Sequence, residues 1–127
     1  MPIKIHHVSN KGAKVGKIGE NEASNYLEQL GYQILFRNWR NGKDEIDIVA
    51  LHNNWVVFVE VKARTSQAFG EPWQAVNQRK QTAMIRAAEA YIAQNAVENN
   101  VRFDIVSVMV SPDSDVYIEI IENAFCL

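Results

Sequence analysis

Two acidic residues and a lysine lie on neighbouring hydrophobic segments, in a spacing that suits metal-assisted chemistry. Asp47 falls in the run Glu45–Leu51, and Glu60 and Lys62 fall near the end of the run Trp55–Ala63. Carboxylate oxygens are the ligands that Mg²⁺ prefers, and the ion keeps positions free for water and phosphate oxygens. A lysine beside it can orient an attacking water and stabilise charge that develops on phosphorus. These residue types therefore predict metal-dependent hydrolysis of a phosphate ester.

The two runs are joined by His52-Asn53-Asn54. Asparagine tolerates the positive φ that a tight hairpin turn requires, so the pattern predicts an antiparallel hairpin. A turn centred between the two asparagines gives partners whose residue numbers sum to 107, which places Asp47 opposite Glu60 and Glu45 opposite Lys62. Because side chains alternate along a strand, this register predicts that all four lie on one face of the sheet.

Opposed carboxylates on adjacent strands repel one another, and partial burial strengthens the repulsion. A divalent cation between the two groups removes this conflict. We therefore predict a Mg²⁺ or Mn²⁺ site held by Asp47, Glu60 and the main-chain carbonyl of Val61, with water and phosphate oxygens as the remaining ligands.

A third acid, Glu20, lies in a segment of helical periodicity, Lys17–Leu30. It shares a helix face with Ala23 and Leu27, which predicts that its carboxylate points toward the sheet. Glu20 is therefore a further candidate catalytic residue and metal ligand. An acid near the start of a helix is also favourable for electrostatic reasons that need no catalytic role.

A purely structural explanation of the same residues stays open. Acidic residues at strand ends are usually solvated, and Lys62 would neutralise Glu45 or Glu60 in an ordinary ion pair. The inward-facing phase of Glu20 favours a site, because a third acid aimed at the sheet from another element has little structural use.

The hydrophobic pattern predicts a single α/β domain over residues 15–127 of the 127-residue chain. Residues 1–14 carry three lysines, no acid and no sustained periodicity, which predicts a flexible basic arm. The predicted elements are a helix at Lys17–Leu30, strands at Tyr32–Arg37, Glu45–Leu51 and Trp55–Ala63, a helix at about 73–96, and strands at Arg102–Val110 and Val116–Glu122.

The charge of the chain is unevenly distributed along its length. The net charge is −2, but residues 1–86 hold 12 basic against 8 acidic residues, whereas residues 87–127 hold one against 7. A local basic face can bind phosphates despite an acidic total. The only cysteine, Cys126, excludes an internal disulfide. No apolar run reaches membrane-spanning length and no signal-peptide pattern is present, so we expect a cytoplasmic protein without membrane association.

Several cationic and amide side chains are predicted in loops or helix starts near the acidic residues, where they could contact phosphates. Taken singly, each is equally explained as an exposed surface residue. These candidates for nucleic-acid binding are Arg37, Arg40, Lys43, Arg64, Gln78 and Lys80.

The ordered set of short motifs resembles the YraN-like family of small bacterial proteins, which belongs to the PD-(D/E)xK, or restriction-endonuclease-like, nuclease superfamily. The resemblance covers residues 15–110 and rests on Gly16-Lys17-Ile18-Gly19-Glu20, Gly31-Tyr32, Arg37-Asn38, Glu45-Ile46-Asp47-Ile48, Phe58-Val59-Glu60-Val61-Lys62, Phe69-Gly70 and Arg102-Phe103-Asp104.

The resemblance implies a mixed central sheet flanked by helices in the order αβββαβ. It implies catalytic roles for Asp47, for the (D/E)xK element Glu60-Val61-Lys62, and for Glu20 as the helix acid of resolvase-like members. Two departures are present, since Ile46 rather than proline precedes Asp47 and Asp44 stands where the family usually has glycine. The second departure puts the local turn and the metal affinity in question.

The leading hypothesis is Mg²⁺- or Mn²⁺-dependent hydrolysis of DNA phosphodiesters in repair or recombination, at branched structures as in Holliday-junction resolvases. Such resolvases generally need two active sites, so a homodimer is one expected assembly. The first alternative is a nucleic-acid-binding module that keeps the fold, lacks useful catalysis and acts with partner proteins. The second is an interaction protein whose acids are structural.

Overall fold

The computed structural model describes residues 3–7, 15–65, 76–113 and 115–126. Its element order contains the predicted αβββαβ core, with a further strand at each end of the described chain. The elements are β1 (Ile3–His7), α1 (Val15–Gln29), β2 (Gln33–Asn41), β3 (Asp44–His52), β4 (Trp55–Thr65), α2 (Gln78–Gln94), β5 (Val101–Val110) and β6 (Asp115–Phe125). The predicted α/β class is confirmed.

The strands form one six-stranded mixed sheet in the order β1-β6-β5-β4-β3-β2. Only the central pair β4 and β5 is parallel, and the other neighbours are antiparallel. A parallel neighbour needs a long crossover connection, and α2 lies in the segment that provides it. The segment between β4 and α2, where the second helix was predicted to begin, lies mostly outside the described residues.

Helix α1 covers one face of the sheet. Its small and apolar residues Gly19, Ala23 and Leu27 are buried, and the last two pack against strand residues such as Ile48 and Val106. The helix ends where Gly31 adopts a left-handed backbone (φ 93°) that non-glycine residues rarely take. The predicted phase of this helix is therefore confirmed.

Helix α2 covers the opposite face. Its buried residues include Met84, Ala88 and Tyr91, which pack against Phe58 and Phe103 of the sheet. The Asn77 side chain caps the helix by accepting a hydrogen bond of 2.9 Å from the Lys80 N–H. The sheet is thus covered on both faces, which explains why β3 and β4 are apolar on both sides. Neither helix in the described part of the chain has the length and hydropathy of a membrane span.

The β3–β4 hairpin has the predicted register. Asn53 and Asn54 both have positive φ, 49° and 67°, as the two-residue turn requires. Ile48 pairs with Val59 and His52 with Trp55, so the residue numbers of partners sum to 107 as expected. Two asparagines in the sequence were sufficient to locate this turn.

The alternation of β3 is broken at one point, next to Asp47. Ile48 packs in the core under α1, whereas Ile46, two residues earlier, packs in the core under α2. The neighbouring strand β2 is irregular at the same level, because Asn38 has a positive φ of 55° and lies between Arg37, which pairs with Ile48, and Trp39. Strict alternation predicted that every second residue of β3 faces the same helix. This prediction is wrong at the N-terminal end of the strand, where Ile46 and Ile48 face different helices.

Two further strand boundaries differ from the predictions. β2 continues through polar residues to Asn41, and a tight turn at Gly42 (φ 61°) leads directly into β3. In addition, the segment Ile3–His7, predicted as part of an arm without regular structure, pairs with β6 as edge strand β1. Both segments are edge strands, and the solvent side of an edge needs no hydrophobic alternation to guide a prediction. The rest of the predicted arm lies outside the described residues.

We predict that Gly19→Ala will destabilise the protein, because a Cβ at this position overlaps that of Ala63 and lies 3.7 Å from that of Val108. The helix would have to move away from the sheet, at a cost of about 1–3 kcal/mol. Gly16→Ala in the same helix is the matched control, since nothing lies within 4 Å of its added Cβ. It should stabilise by about 0.5–1 kcal/mol through helix propensity. Urea unfolding followed by circular dichroism measures both, and equal stability of the two variants would contradict the close packing.

Candidate functional site

Asp47 lies in a gap between β3 and β4. The ladder between these strands ends at Ile48 and Val59, so it does not continue to Asp47 and Glu60 as the register had predicted. Instead, the Asp47 carboxylate reaches across the gap, and its Oδ2 accepts a hydrogen bond of 2.8 Å from the main-chain N–H of Val61. The Val61 N–H therefore bonds to a side chain instead of to a main-chain carbonyl of β3. This hydrogen bond fixes the orientation of the Asp47 carboxylate.

The main-chain carbonyl of Val61 points into the same gap. The N–H and C=O of one residue in a strand point to the same neighbour, and the Val61 N–H points toward Asp47. The gap is therefore lined by a carboxylate and a carbonyl oxygen, which are both ligands for a hard cation.

Glu60 is a buried acid with only 4% of its surface exposed. Its Oε1 has no hydrogen-bond partner among the described residues, and its Oε2 lies 3.5 Å from the Nζ of Lys80. Burial and, after it, the neighbouring charge of Asp47 raise the pKa of Glu60 to about 7, although Lys80 opposes the shift. A buried carboxylate oxygen without a partner is unfavourable, so this side chain indicates a missing cationic or donor ligand.

Asp47 and Glu60 form a coupled pair of acids. The charge of Asp47 raises the pKa of Glu60, so the two carboxyl groups lie close enough to repel one another when both are ionised. Burial raises the pKa of Asp47, and the hydrogen bond from Val61 partly offsets this rise. The predicted opposition of the two carboxylates is therefore found, although through the gap rather than as a ladder pair.

Lys62 and Glu20 approach this pair from different sides. Lys62 is half-buried and shares a strand face with Glu60 by alternation, and its charge lowers the pKa of Glu60, though less than Lys80 does. Glu20 belongs to α1 on the other face, yet its charge is close enough to raise the pKa of Asp47. The predicted single face shared by Glu45, Asp47, Glu60 and Lys62 is not formed. Ile46 packs under α2, so its neighbour Glu45 lies on the other face of the sheet from Glu60 and Lys62.

The donor set fits a divalent cation of the Mg²⁺ class. Asp47, Glu60 and the Val61 carbonyl supply hard oxygen ligands, and a cation would satisfy the orphaned Glu60 Oε1 and relieve the repulsion between the acids. In the part of the chain that the structure describes, no three acidic, histidine or cysteine side chains converge as a metal-binding group. The site therefore depends on two carboxylates and the main chain, and water or substrate oxygens would complete the shell.

The residues predicted for phosphate contacts lie in several places. Arg37, predicted at the end of a strand, and Arg40, predicted in the polar stretch after it, both lie in β2. Arg37 donates a 2.9 Å hydrogen bond to Asn21, and Arg40 forms a 2.7 Å ion pair with Glu45. Lys43 lies in the turn before β3. The remaining candidates are Arg64 in β4 and Gln78 and Lys80 in the first turn of α2. Among these candidates, Lys80 forms an ion pair of 3.5 Å with Glu60 of the acid pair.

The sequence pattern did not predict the partner of Asp44. This acid replaces the expected glycine, and it is buried in a two-fold hydrogen-bonded ion pair with Arg86 of α2, at 2.6 and 2.8 Å. The Arg86 hydrogen bonds hold the pKa of Asp44 below its usual value. The extra acid therefore binds a helix rather than entering the metal site. Residues 42 positions apart carry no sequence signal for such a pair.

The chain is similar to a set of bacterial proteins of one family. The model of "Uncharacterised protein family UPF0102" matches residues 19–108. A UPF0102 protein of Clostridium acetobutylicum is 44% identical over 121 residues, which cover 94% of this chain and 98% of the relative. UPF0102 proteins of Alkaliphilus oremlandii and Bacteroides thetaiotaomicron are each 44% identical, over 88% of this chain and 97% and 92% of the relatives. Asp47, Glu60 and Lys62 lie inside the matched region.

Proposed function

The chain belongs to the uncharacterised protein family UPF0102, which confirms the predicted YraN-like membership, and we propose that it is a divalent-metal-dependent nuclease that hydrolyses DNA phosphodiesters. One observation carries the proposal. A half-buried carboxylate, Asp47, and a buried one, Glu60, interact at a gap between two strands, and Glu60 has an oxygen with no partner among the described residues. This arrangement is unfavourable in the absence of a cation and favourable with one.

The roles of the residues follow from their positions. Asp47, Glu60 and the Val61 carbonyl would hold Mg²⁺ or Mn²⁺, with the Val61 N–H keeping Asp47 in place. When bound, the ion polarises the phosphate and lowers the pKa of a coordinated water. Lys62, beside Glu60, orients the attacking water and stabilises charge on the phosphoryl oxygens. In this proposal Glu20 of α1, whose charge raises the pKa of Asp47, acts on the ion through a water, because no three acidic side chains converge as a metal-binding group among the described residues.

DNA is the proposed substrate because of the resemblance to the PD-(D/E)xK superfamily and because α2 carries several cations, one of which, Lys80, lies beside the acids. Arg79, Lys80 and Arg86 project from α2, and Lys80 is 3.5 Å from Glu60. Cations clustered at one site bind phosphates whatever the total charge of the chain. Branched DNA, as cut by Holliday-junction resolvases, and a homodimeric assembly belong to the same proposal.

Titration with Mn²⁺ by isothermal calorimetry tests the site. We expect binding whose affinity rises about tenfold between pH 6 and pH 8, because metal binding must displace the proton that the acid pair holds. The sign follows from Glu60, whose pKa is raised to about 7, so the proton competes below that pH and not above it. Asp47→Ala and Glu60→Ala should remove the heat of binding, and Glu89→Ala, an exposed acid of α2, is the control.

Absence of any Mn²⁺ heat in the wild-type protein at pH 8 would overturn the enzyme proposal. Cleavage of linear, nicked, flap and four-way DNA with Mg²⁺ or Mn²⁺ then identifies the substrate. Metal binding without cleavage of any of these substrates would favour the alternative, a nucleic-acid-binding module that retains a nuclease fold.

A further inference from the structure

A cavity of about 490 Å³ lies on the α2 side of the sheet, separate from the acid pair. One wall is a single face of α2, formed by residues spaced three and four apart, and the other wall is the turn into β3. The lining residues are Lys43, Asp44, Arg79, Thr82, Ala83 and Arg86.

The cavity is cationic. Its charged lining consists of Lys43, Arg79 and Arg86 against Asp44, which amounts to three positive charges and one negative. Asp44 is already neutralised by its two hydrogen bonds with Arg86. No ion pair joins Lys43 or Arg79 to a carboxylate in the described ranges 15–65, 76–113 and 115–126. Charge available for a ligand is therefore concentrated at this opening.

Arg86 is oriented as well as charged. Its guanidinium donates Nε–H and one Nη2–H to Asp44, so the rest of its five N–H donors remain for another acceptor. Asp44 thereby holds the guanidinium plane in place, since it is buried and bound through both oxygens. The Thr82 hydroxyl is already used, because it donates to the Gln78 carbonyl at 2.9 Å. The available donors are those of three cations, which suit a phosphate group.

The cavity and the acid pair are adjacent on the same strand and the same helix. Asp44 precedes Asp47 by three residues of β3, a rise of about 10 Å. Lys80 lies between the two sites, because it contacts Glu60 and its charge also lowers the pKa of Asp44. When one phosphate of a nucleic-acid strand lies at the acid pair, a neighbouring phosphate of that strand would therefore lie over the cavity.

We propose that the cavity lined by Lys43, Arg79 and Arg86 binds a phosphate group of the nucleic-acid strand at a nucleotide next to the one held at Asp47 and Glu60. The identity of the polymer rests on the proposed function. The cavity itself needs no metal, because its cations bind phosphate directly. It fixes the position of the strand along α2, so that the bond to be cut lies over the acid pair.

Fluorescence anisotropy of a labelled 20-base-pair duplex, measured in EDTA across a salt series, tests this inference. The wild-type protein should bind, and Lys43→Ala/Arg79→Ala should reduce the slope of log K against log salt by about 1, since both cations contact the same phosphate and each phosphate contact contributes about 0.9. Lys17→Ala removes an exposed cation of α1, on the other face of the sheet, and should leave the slope unchanged. Duplexes with and without a 5′-phosphate show whether an internal or a terminal phosphate occupies the cavity.

The outcomes separate this inference from the proposed nuclease. A slope that is the same in the wild type and the double variant overturns the cavity proposal and leaves the metal site untouched. A slope lowered as expected, with no cleavage in Mg²⁺ or Mn²⁺, supports the cavity and contradicts the hydrolysis. No binding of either duplex by the wild type overturns the cavity as a nucleic-acid site.

Discussion

Asp47→Asn is expected to reduce metal-dependent DNA cleavage by about 10³-fold or more in kcat/KM, because a carboxylate that holds the ion is replaced by a neutral amide. The substitution preserves shape, and the remaining oxygen can still accept the Val61 N–H that orients the side chain. Loss of activity can then be assigned to charge rather than to unfolding. Initial rates on the preferred substrate, with circular dichroism of both proteins, provide the measurement.

Two further variants sharpen this prediction. Lys62→Ala should lower kcat by about 10²–10³-fold, the usual effect of removing one group that stabilises transition-state charge. Glu45→Gln is the matched control, because Glu45 is an acid of the same strand whose partner is Arg40 at the surface rather than the acid pair. It should cleave at close to the wild-type rate. Undiminished cleavage by Asp47→Asn or Lys62→Ala would assign the activity to another site or to a contaminant.

Glu60→Gln is expected to stabilise the metal-free protein at pH 8 and to have little effect at pH 4.5. The folded-state pKa of Glu60 is raised to about 7 from an ordinary value of 4.5, so the folded protein favours the protonated form. Stability from this group is therefore complete below the unfolded pKa and is lost as the pH rises through 7. One unit corresponds to about 1.4 kcal/mol, so the penalty at pH 8 is on the order of 3 kcal/mol.

Glutamine removes that penalty because it has the same shape and carries no charge. Thermal unfolding in EDTA at the two pH values measures the effect, and a gain of this size raises Tm by about 10 °C. Glu89→Gln, an exposed acid of α2, should leave Tm unchanged at both pH values. Mn²⁺ should reverse the order at pH 8, since it stabilises the wild type and not the variant. Equal effects of Glu60→Gln at both pH values would show that the acid pair is not strained.

The sequence alone was sufficient for those features that depend on neighbours along the chain. Asn53 and Asn54 located the hairpin turn and its register, because two-residue turns need positive φ and asparagine tolerates it. The apolar phase of α1 predicted which residues would be buried, because a helix presents every third and fourth residue to the core. The element order αβββαβ followed from the same periodicities and from the family motifs.

Tertiary structure decided how the acids meet. The break in β3 next to Asp47 lies beside the left-handed Asn38 of a different strand, and strict alternation along the sequence therefore placed the side chains wrongly. The β3–β4 ladder stops at Ile48, which leaves a gap between the strands. The Asp47 carboxylate accepts a hydrogen bond from the Val61 N–H across this gap. Strand geometry of this kind depends on contacts between segments, and local sequence patterns carry no record of it.

The same distinction applies to the charges. From the sequence, Asp44 is an unexpected acid beside the site and Arg86 an ordinary helix cation. The fold joins them at 2.6 Å, and both residues line a cavity together with Lys43 and Arg79. Residue types thus determined that carboxylates and cations would be available for phosphate chemistry. Only the packing of α2 on β3 and β4 decided which charges neutralise one another and which remain for a ligand, because desolvation and charge interactions depend on distances in space.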